Sequence, residues 1–135
     1  MERTLAIIKP DGLQDKNAGK IIDRIEKEGF ALLGMKMLHL TQKQAEDFYA
    51  VHKGKPFLAE LVNYMISGPV IVMALAKNNA VQTWRDVMGA TDPAKAAPNT
   101  LRKLYGTNIG RNVTHGSDSL ENATKEIAFF FPELK

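Results

Sequence analysis

Cysteine is missing from this chain altogether. There can be no disulfide, no thiolate nucleophile and no cysteine-held zinc or iron–sulfur centre, and cysteine usage says nothing about the redox compartment. Long apolar runs are missing too. The longest, residues 70–76, falls far short of the roughly 20 residues that cross a bilayer, and the apolar stretch at residues 5–8 is too short for the core of a secretory signal. The expectation is a cytoplasmic protein, neither exported nor inserted in a membrane. Two Asn-x-Ser/Thr triplets, at Asn112 and Asn122, lack the secretory context of glycosylation acceptors. The familiar phosphate binders are absent as well: Gly19-Lys20 is followed by Ile21 and Gly54-Lys55 by Pro56, so no P-loop exists, and no Gly-x-Gly-x-x-Gly opens a helix. Neither His-Glu-x-x-His nor Gly-x-Ser-x-Gly occurs, which removes the zinc peptidase and serine hydrolase readings. The charge excess is small. Eighteen Lys and Arg against fifteen Asp and Glu leave +3, which suits an anionic partner without marking a polynucleotide binder.

What is present supports an ordinary core. With 44% hydrophobic and 24% charged residues over 135 positions, the composition is that of one globular domain, taken to span residues 1–135. Residues 4–9 read as a buried strand ended by Pro10-Asp11-Gly12, which puts the cation Lys9 at a strand end. Residues 18–28 carry Ile21, Ile22 and Ile25 at helical spacing before the stop at Gly29. A long strand at 30–40 follows, then a capping box at Thr41 to Gln44 that opens a helix through about Tyr49. Helical spacing returns at 57–65, a strand at 70–76, and a helix that Asn79 can cap through about residue 87. Residues 88–99 form a long loop, suspect for function by its length. A short helix at 100–105 precedes an extended Val113-Thr114 pair, and a last helix, which Asp118 can cap, runs from 119 to 130 with Leu120, Ala123, Ile127 and Phe130 inward. This order points to an α+β fold resembling the ferredoxin-like βαββαβ sandwich, a four-stranded antiparallel sheet with helices packed on it. A doubly wound parallel sheet is the alternative.

The chemistry concentrates at Asn112-Val113-Thr114-His115-Gly116-Ser117-Asp118-Ser119. A histidine at a strand end, followed by a glycine that lets another group come close, is exposed yet held and so is a candidate nucleophile. Lys9, Arg85, Arg102 and Arg111 stand at loops and helix ends around it. Arginine's planar fork suits phosphate oxygens, and lysine adds a compact charge. His39 and His52 are assigned to backbone hydrogen bonding, and Tyr49 and Phe57 are read by themselves as core before site. From the residues alone, the reading ends at an anion-binding α+β domain with one histidine suited to chemistry. An RNA-binding sheet module lacks its aromatic motif here and needs no His-Gly-Ser-Asp turn.

Asn112-x-x-His115-Gly116-Ser117-Asp118 resembles the signature of nucleoside diphosphate kinases. The resemblance extends in order along the chain through Ile8-Lys9-Pro10-Asp11-Gly12, Lys55-Pro56-Phe57, Ser67-Gly68-Pro69, Gly89-Ala90-Thr91-Asp92-Pro93 and Thr100-Leu101-Arg102. It implies that His115 takes the γ-phosphoryl group of a nucleoside triphosphate and passes it to a nucleoside diphosphate, maintaining nucleotide pools with broad base tolerance. It further implies that Glu126 holds the imidazole with Ser117 nearby, and that Tyr49 neighbours the transferred group. Lys9, Arg85, Thr91, Arg102 and Asn112 would grip phosphates and ribose, while Phe57 and Ile109, the latter standing where many members carry valine, would sandwich the base. Magnesium (Mg2+) would ride on the nucleotide phosphates with no direct protein ligand, Asp118 reaching it through water. The implied assembly is a homo-oligomer built from dimers, a tetramer or a hexamer, with residues 88–99 at a further interface and no specific nucleic acid among its partners.

Overall fold

The computed structural model describes residues 1–134. Its strands are β1 (Glu2–Ile8), β2 (Ala31–Leu38), β3 (Val70–Lys77) and β4 (Thr114–Gly116). They form one sheet in the order β2-β3-β1-β4, every neighbouring pair antiparallel. The antiparallel α+β sandwich is therefore the fold, and the parallel alternative is excluded. Helices α1 (Pro10–Gln14) and α2 (Ala18–Lys27) follow β1, α3 (Gln42–Phe48) and α4 (Leu58–Met65) join β2 to β3, and α5 (Ala80–Met88) and α6 (Leu101–Tyr105) lead to β4. The last helix is α7 (Leu120–Phe130). None of the described helices is long and apolar enough to cross a membrane.

The central strands are apolar throughout because both of their faces are covered. In β1, Ala6 and Ile8 join Ile71, Met73 and Leu75 of β3 against Ile21 and Ile25 of α2 and Trp84 of α5. Leu5 and Ile7 point the other way, with Val70, Val72 and Ala74, onto Ala45, Val62, Met65 and Ile127. The two-residue period of the strand thus supplies both layers. Each fully buried Leu or Ile contributes about 1.5–3 kcal/mol, so β1 and β3 form a stiff platform for whatever their ends carry.

Local chemistry departs from the expected pattern at several points. Pro10-Asp11-Gly12 is no free turn but the start of α1, with proline in the first helical turn, where its missing N–H is not needed. The expected strand at 30–40 ends at Leu38, and the exposed His39 ring bonds the Ile66 carbonyl at 2.7 Å, the backbone role assigned to it. Thr41 and Gln44 do form the capping box. Asn79 precedes α5 in the left-handed region without a side-chain cap (φ 57°), and Glu2 Oε2 instead accepts from Val81 N at 2.7 Å. Ser119, not Asp118, caps α7 by accepting from Asn122 N at 3.1 Å. Ala123, Ile127 and Phe130 are buried as expected, but Leu120 is 59% exposed. The first turn of α7 lies over the polar start of β1, where Leu120 borders a groove with Glu2 and Arg3 instead of meeting apolar core.

Gly116 does admit a close neighbour, and the neighbour is Trp84. A Cβ at Gly116 would lie 2.5 Å from Trp84 Cδ1 and 2.6 Å from Met88 Cε, both side chains being buried. Gly116→Ala is expected to destabilise the protein by about 1–3 kcal/mol through overpacking, read as a lower urea midpoint. An unchanged midpoint would mean that α5 yields freely and does not fix β4.

Candidate active site

The site grows from a strained turn. Thr114 N donates to Asn112 O at 2.8 Å, closing a three-residue γ-turn with Val113 at φ 69°. A β-branched residue avoids that region, at a cost of about 1–3 kcal/mol, so the surroundings must enforce it. They do so from both sides of the Val113 peptide: Val113 N donates to Asp11 Oδ2 at 3.1 Å, and Val113 O accepts from Lys9 N at 2.8 Å. Asp11 is itself buried, its other carboxylate oxygen accepting from the Tyr64 hydroxyl. The extended conformation expected of Val113 is overridden by these tertiary bonds. The turn brings Asn112 back beside Lys9 and sends His115 into β4, opposite Ile7.

His115 is held at its backbone and at one ring nitrogen. Its carbonyl accepts from Trp84 Nε1 at 3.2 Å. Its Nε2 lies 2.8 Å from Glu126 Oε1, and the same oxygen accepts from Ser117 Oγ at 2.9 Å. A carboxylate only accepts, so it selects the tautomer with the proton on Nε2 and leaves the Nδ1 lone pair unprotonated. Ser117 is fully buried and its hydroxyl also accepts from Leu5 N at 3.2 Å. It therefore braces Glu126 from behind instead of facing the opening.

His115 borders a cleft of about 1130 Å³ shared by Lys9, Tyr49, Phe57, Arg85 and Arg102. Burial lowers the Lys9 ammonium to a pKa of about 8, with the positive Arg102 adding to the effect and Asp11 opposing it. Arg102 is lowered to about 10, first by burial and then by Arg85. These cations repel one another across a partly dry space, which favours an anion between them. Lys9 Nζ donates to Asn112 Oδ1 at 2.9 Å, and Asn112 Nδ2 donates to Thr91 O at 3.1 Å, so the long loop is tied to the cation. Arg102 is more committed to the fold than a phosphate grip requires: its guanidinium donates to the carbonyls of Gly89, Asn112 and Thr114 at 3.1, 3.4 and 2.8 Å. The exposed Arg85 makes no side-chain hydrogen bond among the described residues. The Tyr49 hydroxyl is buried without a protein partner among them. Burial and the Glu126 charge push its pKa up, so it keeps its proton as a donor for an oxygen in the cleft.

Lys9 makes the site pH-sensitive in a definite direction. Its folded pKa lies below the ordinary 10.5, so between about pH 8 and 10.5 the unfolded chain holds a proton that the folded protein has released. Stability from this group rises with pH across that window, and the burial cost of about 3 kcal/mol is fully present below it. Anion binding runs the other way, since a neutral lysine no longer attracts phosphate. The kcat/KM for the nucleoside triphosphate that the sequence resemblance implies is expected to fall above about pH 8, and Lys9→Gln should lower its plateau and flatten that limb. A wild-type profile level from about pH 7 to 9.5 would remove Lys9 from phosphate binding.

Of the residues expected from sequence, the cleft brings together Lys9, Tyr49, Phe57, Arg85, Thr91, Arg102, Asn112, His115, Asp118 and Glu126. Ile109 is not among its walls; it is 60% exposed on the segment after α6. His52 was assigned to backbone bonding but lies on the cleft wall, its ring stacked on Tyr49 at 6.3 Å and 5.2 Å from Phe57. The helical turn Ala50–His52 carries the chain round from Tyr49, and the three-residue spacing of Tyr49 and His52 was the available signal. Phe48, also on the wall, carried no signal, because it reads as core.

The family model for nucleoside diphosphate kinase matches residues 2–135. The chain belongs to the nucleoside diphosphate kinase family. Among curated members, the kinase of Chlamydia abortus is 57% identical over 135 residues, covering all of this chain and 96% of that protein. The Myxococcus xanthus kinase is also 57% identical, covering all of this chain and 93% of the relative. Among solved structures, the Aquifex aeolicus nucleoside diphosphate kinase superposes with a TM-score of 0.94 at 44% identity, over 96% of this chain and 94% of that one. The Halobacterium salinarum kinase, solved in complex with CDP, superposes with a TM-score of 0.93 at 41% identity, over 96% and 87%. The family consists of phosphotransferases, and both the fold and the family expected from the sequence stand.

Proposed function

We propose that this nucleoside diphosphate kinase works in two half-reactions through a phosphohistidine on His115. The carrying observation is the His115 ring held at Nε2 by Glu126 beside a cationic cleft; the Nε2–H tautomer favoured by this contact keeps the Nδ1 lone pair for attack. In the first half, Nδ1 attacks the γ-phosphorus, an N–P bond forms, the bridging P–O bond breaks, and the diphosphate leaves with the electron pair. The second half reverses these events on another diphosphate. Glu126 balances the positive charge that develops on the ring, and Ser117 fixes Glu126. Lys9, Arg85 and Arg102 oppose the charge on the phosphate oxygens, Tyr49 donates to the transferred group, and Asn112 and Thr91 complete the grip.

The cleft residues fit a magnesium ion carried by the nucleotide. Among the described residues no three metal-ligating side chains cluster, but Asp118 places a carboxylate on the cleft wall, its Oδ1 accepting from Asn122 Nδ2. Asp118 would hold such an ion through water, and the ion would offset phosphate charge. Phe57, 47% exposed on the wall, offers a flat face, and stacking of about 1–3 kcal/mol is available to any base. Ile109, 60% exposed, would supply the opposite face. We also propose a homo-oligomer built from dimers, tetramer or hexamer. The edge strand β2 supports it, since its outer edge pairs with no strand among the described residues and it carries Met35 and Met37, 51% and 64% exposed.

The test is incubation with γ-labelled ATP. Label should appear on the protein, survive alkali, be lost in acid, and chase onto ADP, GDP, CDP and UDP at rates within about tens-fold of one another. No protein-bound label, or a thousandfold preference for one base, would overturn the mechanism or the base reading respectively.

A further inference from the structure

The hydrogen bond from Glu126 does not by itself aim the nucleophile. Nε2 sits at the far end of the imidazole, near the axis about which the ring twists, whereas the Nδ1 lone pair projects almost at right angles to that axis. A twist at χ2 therefore swings Nδ1 off the line of attack while disturbing the bond to Glu126 less. Something must press on the flat of the ring or its edge.

Phe48, the last residue of α3, is in that position. Its ring centroid is 5.3 Å from that of His115 with the planes at 69°. Phe48 is itself boxed in by Tyr49 at 4.9 Å, Phe129 at 5.6 Å and Phe130 at 5.1 Å. Tyr49 also approaches His115, but at 6.4 Å. The box makes Phe48 a fixed stop, and a rigid flat stop against an imidazole resists χ2 rotation in a way that a flexible aliphatic chain cannot. We infer that Phe48 is a positioning residue for phosphoryl transfer, setting the twist of the His115 ring so that Nδ1 faces the γ-phosphorus. This rests on the phosphohistidine reading, and it adds a group that touches neither the phosphates nor the proton on Nε2.

The experiment is rapid-quench phosphorylation by γ-labelled ATP over a range of nucleotide concentrations, with wild type, Phe48→Leu and Phe48→Tyr. The burst amplitude counts competent sites, the rate constant at saturation reports positioning, and the half-saturating concentration reports nucleotide contact. Phe48→Leu is expected to keep the amplitude, to slow the saturating rate about tenfold, and to leave half-saturation within about twofold. Phe48→Tyr, which restores the ring, should return the rate to within about threefold of wild type. The inference is overturned if Phe48→Leu transfers at the wild-type rate, loses amplitude alone, or changes only half-saturation, or if Phe48→Tyr is as slow as Phe48→Leu at full amplitude. Should Phe48→Leu not fold, Phe48→Met, of similar bulk but flexible, takes its place with the same outcomes. Failure of the wild type to form any phosphoenzyme would instead sink the underlying mechanism, so the two failures are separable.

Discussion

His115→Ala is expected to abolish protein labelling and to lower turnover by roughly 10⁴-fold or more, the scale seen when a covalent nucleophile is removed. The fold should survive. The imidazole is partly exposed, its side-chain hydrogen bond goes to Glu126, and Glu126 keeps its bond from Ser117 at 2.9 Å after the ring is gone. The backbone contacts that locate this residue, pairing with Ile7 and the Trp84 bond to its carbonyl, do not involve the side chain. Circular dichroism and the urea midpoint should therefore stay near wild type while activity disappears. A variant that still transfers phosphate at even a hundredth of the wild-type rate would place the acceptor elsewhere.

Much of this site was legible because local chemistry and the fold agree there. The apolar runs that end at Lys9 and begin at Val70 read as buried strands, and the sheet covers both of their faces. Gly116 announced a close approach, and Trp84 makes it. What was not legible depends on partners distant in sequence. Val113 favours extended backbone, yet Asp11, 102 positions away, holds its N–H in a left-handed turn. Asp11 itself looked like a turn residue; nothing nearby in sequence signals that Tyr64 will satisfy its second oxygen in a buried site. Nothing in the sequence separates Ser117 from its neighbour Asp118, yet just past β4 Ser117 is buried by its bonds with Leu5 N and Glu126 while Asp118 is exposed. The expected base-binding pair is a further case. Phe57 borders the cleft, and Ile109 lies on an exposed segment whose distance from Phe57 no local pattern encodes.

The two arginines that looked alike in sequence are expected to separate cleanly in experiment. Arg85 is exposed on the cleft wall, so Arg85→Ala should cost on the order of 1.5–3 kcal/mol in kcat/KM as a lost charge-assisted contact, with little change in stability. Arg102 is 8% exposed and serves three carbonyls, those of Gly89, Asn112 and Thr114. Removing it takes one donor from each, leaving Asn112 O with the Thr114 N–H, releases the start of the long loop, and loosens both sides of the Val113 turn. Arg102→Ala should therefore lose a similar amount in kcat/KM and, in addition, about 3–5 kcal/mol of stability. Arg102→Lys should rescue little, because one ammonium cannot reach three carbonyls arranged for a planar fork. Removing the positive Arg102 also relieves Lys9, whose pKa should rise from about 8, so the descending limb of the pH profile should move to higher pH in Arg102→Ala, whereas in Lys9→Gln it is flattened. Urea titrations and kcat/KM profiles of the variants decide the matter. Equal stability of Arg85→Ala and Arg102→Ala would show that the carbonyl bonds contribute nothing net, and an unmoved limb would show that Lys9 and Arg102 do not feel each other.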